Sequence, residues 1–176
     1  MTVLETPRLL LRRLVPEDLD DLAALYADPE VMHFWPRPYS RDETRQELER
    51  MTAYYEEHGF GLWAALDKPD GLFIGRCGLL RKTVDGVPEL EVAYMISSAY
   101  WGRGLATEAA RGIAGYAFRE LGPPRLVSFI LPENRASRRV AERNAMRPVG
   151  ETMHAGLLHL IYATERDEWL RRFGDG

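Results

Sequence analysis

Trp101-Gly102-Arg103-Gly104-Leu105-Ala106-Thr107-Glu108 lies between two stretches of different character. Before it, Val92-Ala93-Tyr94-Met95-Ile96 is a short apolar run that reads as a buried strand. After it, Leu105, Ala109, Ile113, Tyr116 and Ala117 recur at helical spacing. The glycines therefore stand where a strand hands over to a helix. At such a junction, unpaired backbone N–H groups and the positive end of the helix dipole face one point. Gly102 and Gly104 let a ligand come close to the backbone, and Thr107 adds a hydroxyl. The stretch reads as a site for a diphosphate or a similar anion.

Two common phosphate motifs are excluded. No Gly-Lys-Ser/Thr is present, so the loop is not of the Walker type. A dinucleotide fingerprint places its glycines directly after the strand, with a third small residue for helix packing. Here Ser97-Ser98-Ala99-Tyr100-Trp101 intervenes and Thr107 holds the third position. The spacing instead resembles the acyl-CoA pyrophosphate loop of the GNAT N-acetyltransferases, [Gln/Arg]-x-x-Gly-x-[Gly/Ala], with Gly104-Leu105-Ala106 matching its second half. Trp101 stands at the Gln/Arg position, as is usual in the RimJ/RimL-like branch that acetylates the N-termini of ribosomal proteins. Four further segments resemble that branch in the same order. They are Thr6-Pro7-Arg8-Leu9-Leu10-Leu11-Arg12, Glu91-Val92-Ala93-Tyr94, Pro132 to Ser137 with Ala141-Glu142-Arg143-Asn144, and Tyr162-Ala163 with Glu165 to Trp169.

With 176 residues, 45% hydrophobic and 28% charged, residues 1–176 read as one globular N-acetyltransferase domain with a substantial core. Cys77 is the only cysteine and reads as a buried hydrophobe. No signal peptide opens the chain and no apolar run is long enough for a bilayer, so the expectation is a cytoplasmic protein without a membrane partner. A net charge of −4 without a basic block disfavours nucleic acid. His33, His58, His154 and His159 show no ligand spacing, so no metal is expected. Self-association as a homodimer stays open.

Along the chain, Arg8 to Leu14 reads as a strand, and Pro16-Glu17-Asp18 opens a helix with Leu19, Leu22, Leu25 and Tyr26 on its apolar face. A short helix is expected from Asp28 to about Phe34-Trp35-Pro36. Ser40-Arg41-Asp42-Glu43 is a capping box for a helix running to about His58. Strands follow at Leu62–Leu66 and Leu72–Leu80, then at Glu89–Ile96 after an Asp85-Gly86-Val87-Pro88 turn. Leu126–Leu131 is a strand, Ala136–Asn144 a helix, and Pro148–Tyr162 holds two strands. By itself this order gives an α+β or mixed α/β fold. The resemblance implies more: a central mixed, mostly antiparallel sheet flanked by helices, with a splayed strand pair that binds acyl-CoA.

Acyl transfer to an amine needs an uncharged amine, a stabilised oxyanion and a proton for the departing thiolate. Glu91, a carboxylate among apolar neighbours, is the candidate base, acting directly or through water. Glu89 shares its face by strand alternation and is expected nearer solvent. The resemblance implies oxyanion donors in the backbone near Tyr94 and Met95. It implies that the cofactor lies along Tyr94-Met95-Ile96 and the loop of Trp101, Gly102, Arg103, Gly104, Leu105, Ala106 and Thr107. It implies also that Asn134 binds the pantetheine arm and that Ser137 sits near the sulfur. Asn134 alternatively only caps the Ala136 helix. Ser137 is the candidate acid, with Tyr162 or water in reserve. Arg103, Arg135, Arg138 and Arg139 are candidates for phosphate pairing. His33, Phe34, Trp35 and Trp63 hint at a partly apolar acceptor pocket.

Two residues depart from the pattern. Ala145 replaces the glycine common after Glu-Arg-Asn, at a position where a helix exit favours a left-handed backbone. Leu158 stands where the branch often carries aspartate, so contacts to substrate do not transfer there. The expected function is acetyl-CoA-dependent N-acetylation of a primary amine, either a protein N-terminus or a small molecule. A non-catalytic acyl-CoA-binding domain is the alternative, and a nicotinamide-dependent enzyme is disfavoured by the glycine spacing.

Overall fold

In the computed structural model, which describes residues 2–174, the chain forms one eight-stranded sheet in the order β1-β2-β3-β4-β5-β6-β8-β7. The strands are β1 (Thr2–Glu5), β2 (Leu9–Arg13), β3 (Leu62–Asp67), β4 (Phe73–Val84), β5 (Val87–Ile96), β6 (Arg125–Ile130), β7 (Arg147–His154) and β8 (Leu157–Glu165). Every pairing is antiparallel except β5 with β6, so the sheet is mixed and mostly antiparallel. Five α-helices flank it: α1 (Leu19–Ala27), α2 (Arg41–His58), α3 (Leu105–Tyr116), α4 (Arg135–Arg143) and α5 (Arg166–Phe173).

Local chemistry explains most of the boundaries. Ser40 and Glu43 cap α2 reciprocally, and Gly59 ends it in a left-handed conformation with φ 78°. Asp85-Gly86, with φ of 50° and 81°, turns β4 into β5 in two residues. Because two residues suffice, β5 begins at Val87, two residues before the expected Glu89. The short helix expected over Asp28–Pro36 is instead a run of turns. Met32 N–H donates to Asp28 O at 2.9 Å and Trp35 N–H to Met32 O at 2.9 Å, and then Pro36 and Pro38 prevent propagation. β1 is an addition, a four-residue edge strand too short to show a period.

In an antiparallel pair, facing residues share a side of the sheet. Cys77 and Tyr94 face each other, as do Trp63 and Cys77, and this side meets α3 and α4 through Trp63 against Tyr116 and Tyr94 against Ser137. Arg76, Leu80 and Lys82 of β4, with Glu91 and Ala93 of β5, occupy the other side, where Arg76 meets Tyr26 of α1. The core includes Leu9, Leu11, Leu22, Met51, Ile74, Leu79, Ile113 and Phe118, all buried. Among the described residues no helix is long and apolar enough to cross a membrane.

Candidate active site

The parallel pairing of β5 and β6 consists of one residue pair, Glu91 with Val127. Beyond it the strands are linked through side chains, the Ser128 hydroxyl donating to Val92 O at 2.7 Å and Phe129 N–H to Glu91 Oε1 at 3.2 Å. The opening between them is filled from both sides by cavities. One, of about 650 Å³, runs from Tyr94–Ile96 along the loop to α4, and its walls include Trp101, Gly102, Gly104, Leu105, Ala106 and Thr107. The other, of about 350 Å³, lies on the α1–α2 side. Tyr94, Asn134, Ser137, Phe34 and Trp35 border both cavities, so the two meet there.

The loop has the predicted geometry. Gly102 and Gly104 hold φ of 75° and 77°, and Gly104 is the N-cap of α3. The first intrahelical bond is Glu108 N–H to Gly104 O at 3.0 Å, which leaves the amides of Leu105, Ala106 and Thr107 free of helical partners beside the cavity. Glu108 anchors the loop from behind, accepting from the Thr6 hydroxyl (2.6 Å), Arg8 N–H (2.8 Å) and Arg8 Nε (2.7 Å). Arg8 in turn donates to the Arg103 carbonyl at 2.9 Å. Burial raises the Glu108 carboxyl, but these donors outweigh it and leave the group below its ordinary range. The Trp101 indole N–H donates to Ile96 O at 2.8 Å and so braces the loop against the end of β5.

Of the arginines expected at the anion, Arg139 lines the larger cavity and Arg143 joins it. Arg103 instead lies over the Tyr100 ring, 4.9 Å from its centroid. Arg138 is directed to Tyr162 and Pro132 O. Arg135 is exposed and is not part of the cavity wall.

Asn134 does cap α4, its Oδ1 accepting Ser137 N–H at 3.1 Å, and it also borders both cavities. Tyr94 crosses the opening and donates to Ser137 O at 2.8 Å; burial pushes its phenol well above the ordinary tyrosine range. At the far end of α4, Asn144 is buried and donates to Thr107 O at 3.2 Å and Val140 O at 3.0 Å, tying α4 to α3. Ala145 adopts the left-handed backbone that the family's glycine would hold, φ 62°. Ala145 N–H to Glu142 O and Met146 N–H to Ala141 O complete a Schellman exit despite the methyl group.

Glu91 borders the smaller cavity and is buried. One of its oxygens accepts Phe129 N–H at 3.2 Å and the other lies 3.5 Å from Lys82 Nζ. Burial raises its carboxyl above the ordinary range; Lys82 and the Phe129 N–H oppose that rise without cancelling it. Glu89 is not the more solvated neighbour expected, because it is equally buried at 8% exposure and paired with Arg125. Lys82 lies 3.3 Å from His154 Nε2, and burial, Lys82 and His159 together lower the His154 pKa.

Two expected site residues are elsewhere. Trp63 is 1% exposed and packs edge-on against Tyr116; it is core because its strand position faces α3. Tyr162 is also buried, with its hydroxyl donating to Glu142 and accepting from Arg138, both at 3.1 Å. It borders neither cavity. Phe34 and Trp35 do reach the junction, whereas His33 lines only the larger cavity. Their loop is pinned to the pre-loop segment by Asp28, which accepts the Ser98 hydroxyl at 2.7 Å. The β7–β8 hairpin supplies His154, Leu157 and His159 to the smaller cavity, while Leu158 is exposed. No local pattern marks Arg76, His154 or Tyr26 as cavity residues, because distant elements bring them together.

Residues 8–147 match the Acetyltransferase (GNAT) domain family. YkkB of Bacillus subtilis (strain 168) is 34% identical over 146 residues, covering 82% of this chain and 85% of YkkB. The FsC-acetyl coenzyme A-N(2)-transacetylase of Aspergillus fumigatus is 31% identical over 185 residues, covering 96% and 78%. Among solved structures, an acetyltransferase from Agrobacterium tumefaciens str. C58 superimposes with a TM-score of 0.79 at 29% identity, over 94% of this chain and 95% of that one. The chain belongs to the GNAT acetyltransferase family. It is an acyltransferase enzyme, with the fold that the family resemblance implied.

Proposed function

We propose that residues 1–176 act as one catalytic domain that moves the acetyl group of acetyl-CoA to a primary amine by direct attack on the thioester. The observation that carries this reading is the meeting of two cavities at Tyr94, Asn134 and Ser137, in the gap between β5 and β6. The larger cavity suits the cofactor: left-handed glycines and free helix amides face the pyrophosphate, and Arg139 and Arg143 supply charge. The open edge of β5 suits an extended pantetheine arm, with the Asn134 amide beside it.

When bound there, acetyl-CoA supplies an activated acyl carbon. Glu91 takes a proton from the acceptor ammonium, directly or through water, because its raised pKa makes it a better base than an ordinary carboxylate. Backbone N–H groups near Tyr94 and Met95 face the acyl oxygen. The C–N bond forms as the C–S bond breaks, and Ser137 Oγ relays the proton: it gives its own to the departing sulfur and takes the one that the new amide nitrogen must lose. Tyr162, which borders neither cavity and is engaged by Arg138 and Glu142, stays in reserve behind Ser137.

Trp101 in the Gln/Arg position supports the RimJ/RimL-like branch and a protein N-terminus as acceptor. The walls of the smaller cavity, which include Phe34, Trp35 and the β7–β8 hairpin, favour a small amine. The test is thiol release from acetyl-CoA against small amines and peptide N-termini. Saturable, amine-dependent release is expected. Binding of acetyl-CoA without turnover of any amine would leave a non-catalytic binding domain.

A further inference from the structure

The smaller cavity carries one more positive than negative side chain of fixed charge. Arg50 is bonded to Glu47 through both Nε (3.0 Å) and Nη2 (2.5 Å), and Lys82 lies 3.5 Å from Glu91. Arg76 is the cation left over. Its Nε donates to the Tyr26 hydroxyl at 2.5 Å and its guanidinium sits over the Tyr26 ring. Among the described residues, no carboxylate lies within ion-pairing distance of it, and neither Nη nitrogen has an acceptor. A guanidinium stays charged in any protein environment, and leaving one partly desolvated without an anion is costly. The fork of Nη donors matches a carboxylate in geometry.

Position adds to charge. Arg76 and Glu91 project from the same side of the sheet, since Arg76 faces Met95 and Leu80 faces Glu91. They are four residues apart along the ladder, about 13 Å at roughly 3.3 Å per residue. The junction at Tyr94 and Ser137 falls within that span. The cavity thus holds a base toward one end and an unpaired guanidinium toward the other.

On the basis of the proposed transferase reading, we infer that the acceptor is a small amine that also carries a carboxylate, and that Arg76 binds this carboxylate. Amino acids and short ω-amino acids have this chemistry; amine-only acceptors lack it.

The experiment uses a series from glycine to 6-aminohexanoate together with the matching carboxamides, and peptides with free N-termini and amidated C-termini that lack acidic side chains. Charge-assisted hydrogen bonds to a guanidinium predict that the best-fitting carboxylate exceeds its amide in kcat/KM by roughly 10- to 100-fold. Arg76→Met should shrink that ratio to about twofold, and Arg76→Lys should retain an intermediate ratio. An unaltered acetyl-CoA-induced melting shift in Arg76→Met verifies folding. Equal use of acid and amide by the wild type, a preference that survives Arg76→Met, or better use of the peptides would overturn the inference. Calorimetric titration of the same series with CoA bound separates the two proposals. Tighter carboxylate binding that depends on Arg76, without turnover, upholds the Arg76 assignment and removes the transferase reading; acid and amide binding equally removes the assignment.

Discussion

Ala145 holds φ 62° with a Cβ that a glycine would lack, and it is buried at the exit of α4. An alanine in this region costs roughly 1–2 kcal/mol, and glycine returns about 0.4–1 kcal/mol of that through its freer unfolded chain. Ala141, also buried, lies inside the helix, where glycine costs about 1 kcal/mol. Ala145→Gly should therefore melt at or above the wild type and roughly 4–8 °C above Ala141→Gly, a difference of about 2 kcal/mol that cancels the methyl lost in both. Calorimetry on the two variants checks it, and a lower melting point for Ala145→Gly would deny the strain. At Glu91, burial raises the carboxyl, so the folded protein holds that proton to a higher pH than the unfolded chain does. Its contribution to stability therefore declines as pH rises above the ordinary carboxylate value of about 4.3, while its fraction as a base grows. The acid limb of kcat/KM should inflect above that value. Glu91→Gln should remove the inflection and depress the plateau by roughly 10²–10⁴-fold. A profile that keeps its shape would exclude Glu91 as the base. Ser137→Ala should lower kcat with little change in the CoA-induced melting shift, because only an interaction of the reacting complex is lost. An unchanged kcat would give that role to Tyr162 or to water.

The loop-plus-α3 unit is the part of the site most legible in sequence. Two glycines, a preceding apolar strand and a following helical period are all local, and each appears where expected. An added Cβ at Gly104 would meet only Arg8 Nη2, at 3.7 Å, so no protein neighbour requires glycine there. The backbone with φ 77° does. Gly104→Ala should cost about 1–2 kcal/mol of stability yet retain a cofactor response. Gly104→Glu adds a negative charge to an anion site and should lose that response. Thermal melts with and without acetyl-CoA distinguish them; equal shifts in wild type and Gly104→Glu would remove the anion site from this loop. The other departures have different causes. The Asp28–Pro36 turns are cut short by Pro36 and Pro38 and held by Asp28 on Ser98, whereas the edge strand β1 is decided by its pairing with β2. Trp63 has no local signal that distinguishes core from pocket; only its side of the sheet decides, and that side meets Tyr116.

For the molecule as a whole, the larger cavity is walled by β5, the loop before α3, and α4, which are joined across their far end by the Asn144 amide on Thr107 O. A ligand that spans these elements stabilises the native state alone. At one hundred times its dissociation constant, acetyl-CoA should add about 2.7 kcal/mol, or roughly 5–11 °C of melting temperature. Asn144→Ala removes the tie and should cost about 1–2 kcal/mol and shrink the shift. A full shift in that variant would mean that the two helices are held by packing alone. Sequence by itself determined the elements whose signals are short-range: the capped α2, the Asp85-Gly86 hairpin, the glycine loop at a helix start and the Asn134 cap. It determined these because backbone conformation and helix capping depend on a few neighbouring residues. Tertiary structure alone decided the reduction of the β5–β6 pairing to one residue pair, the exclusion of Tyr162 from the opening, and the gathering of Tyr26, Arg76, Glu91 and His154 around one cavity. Those residues come from α1, β4, β5 and β7, and side chains so far apart in sequence acquire shared surroundings only when the sheet has closed around them.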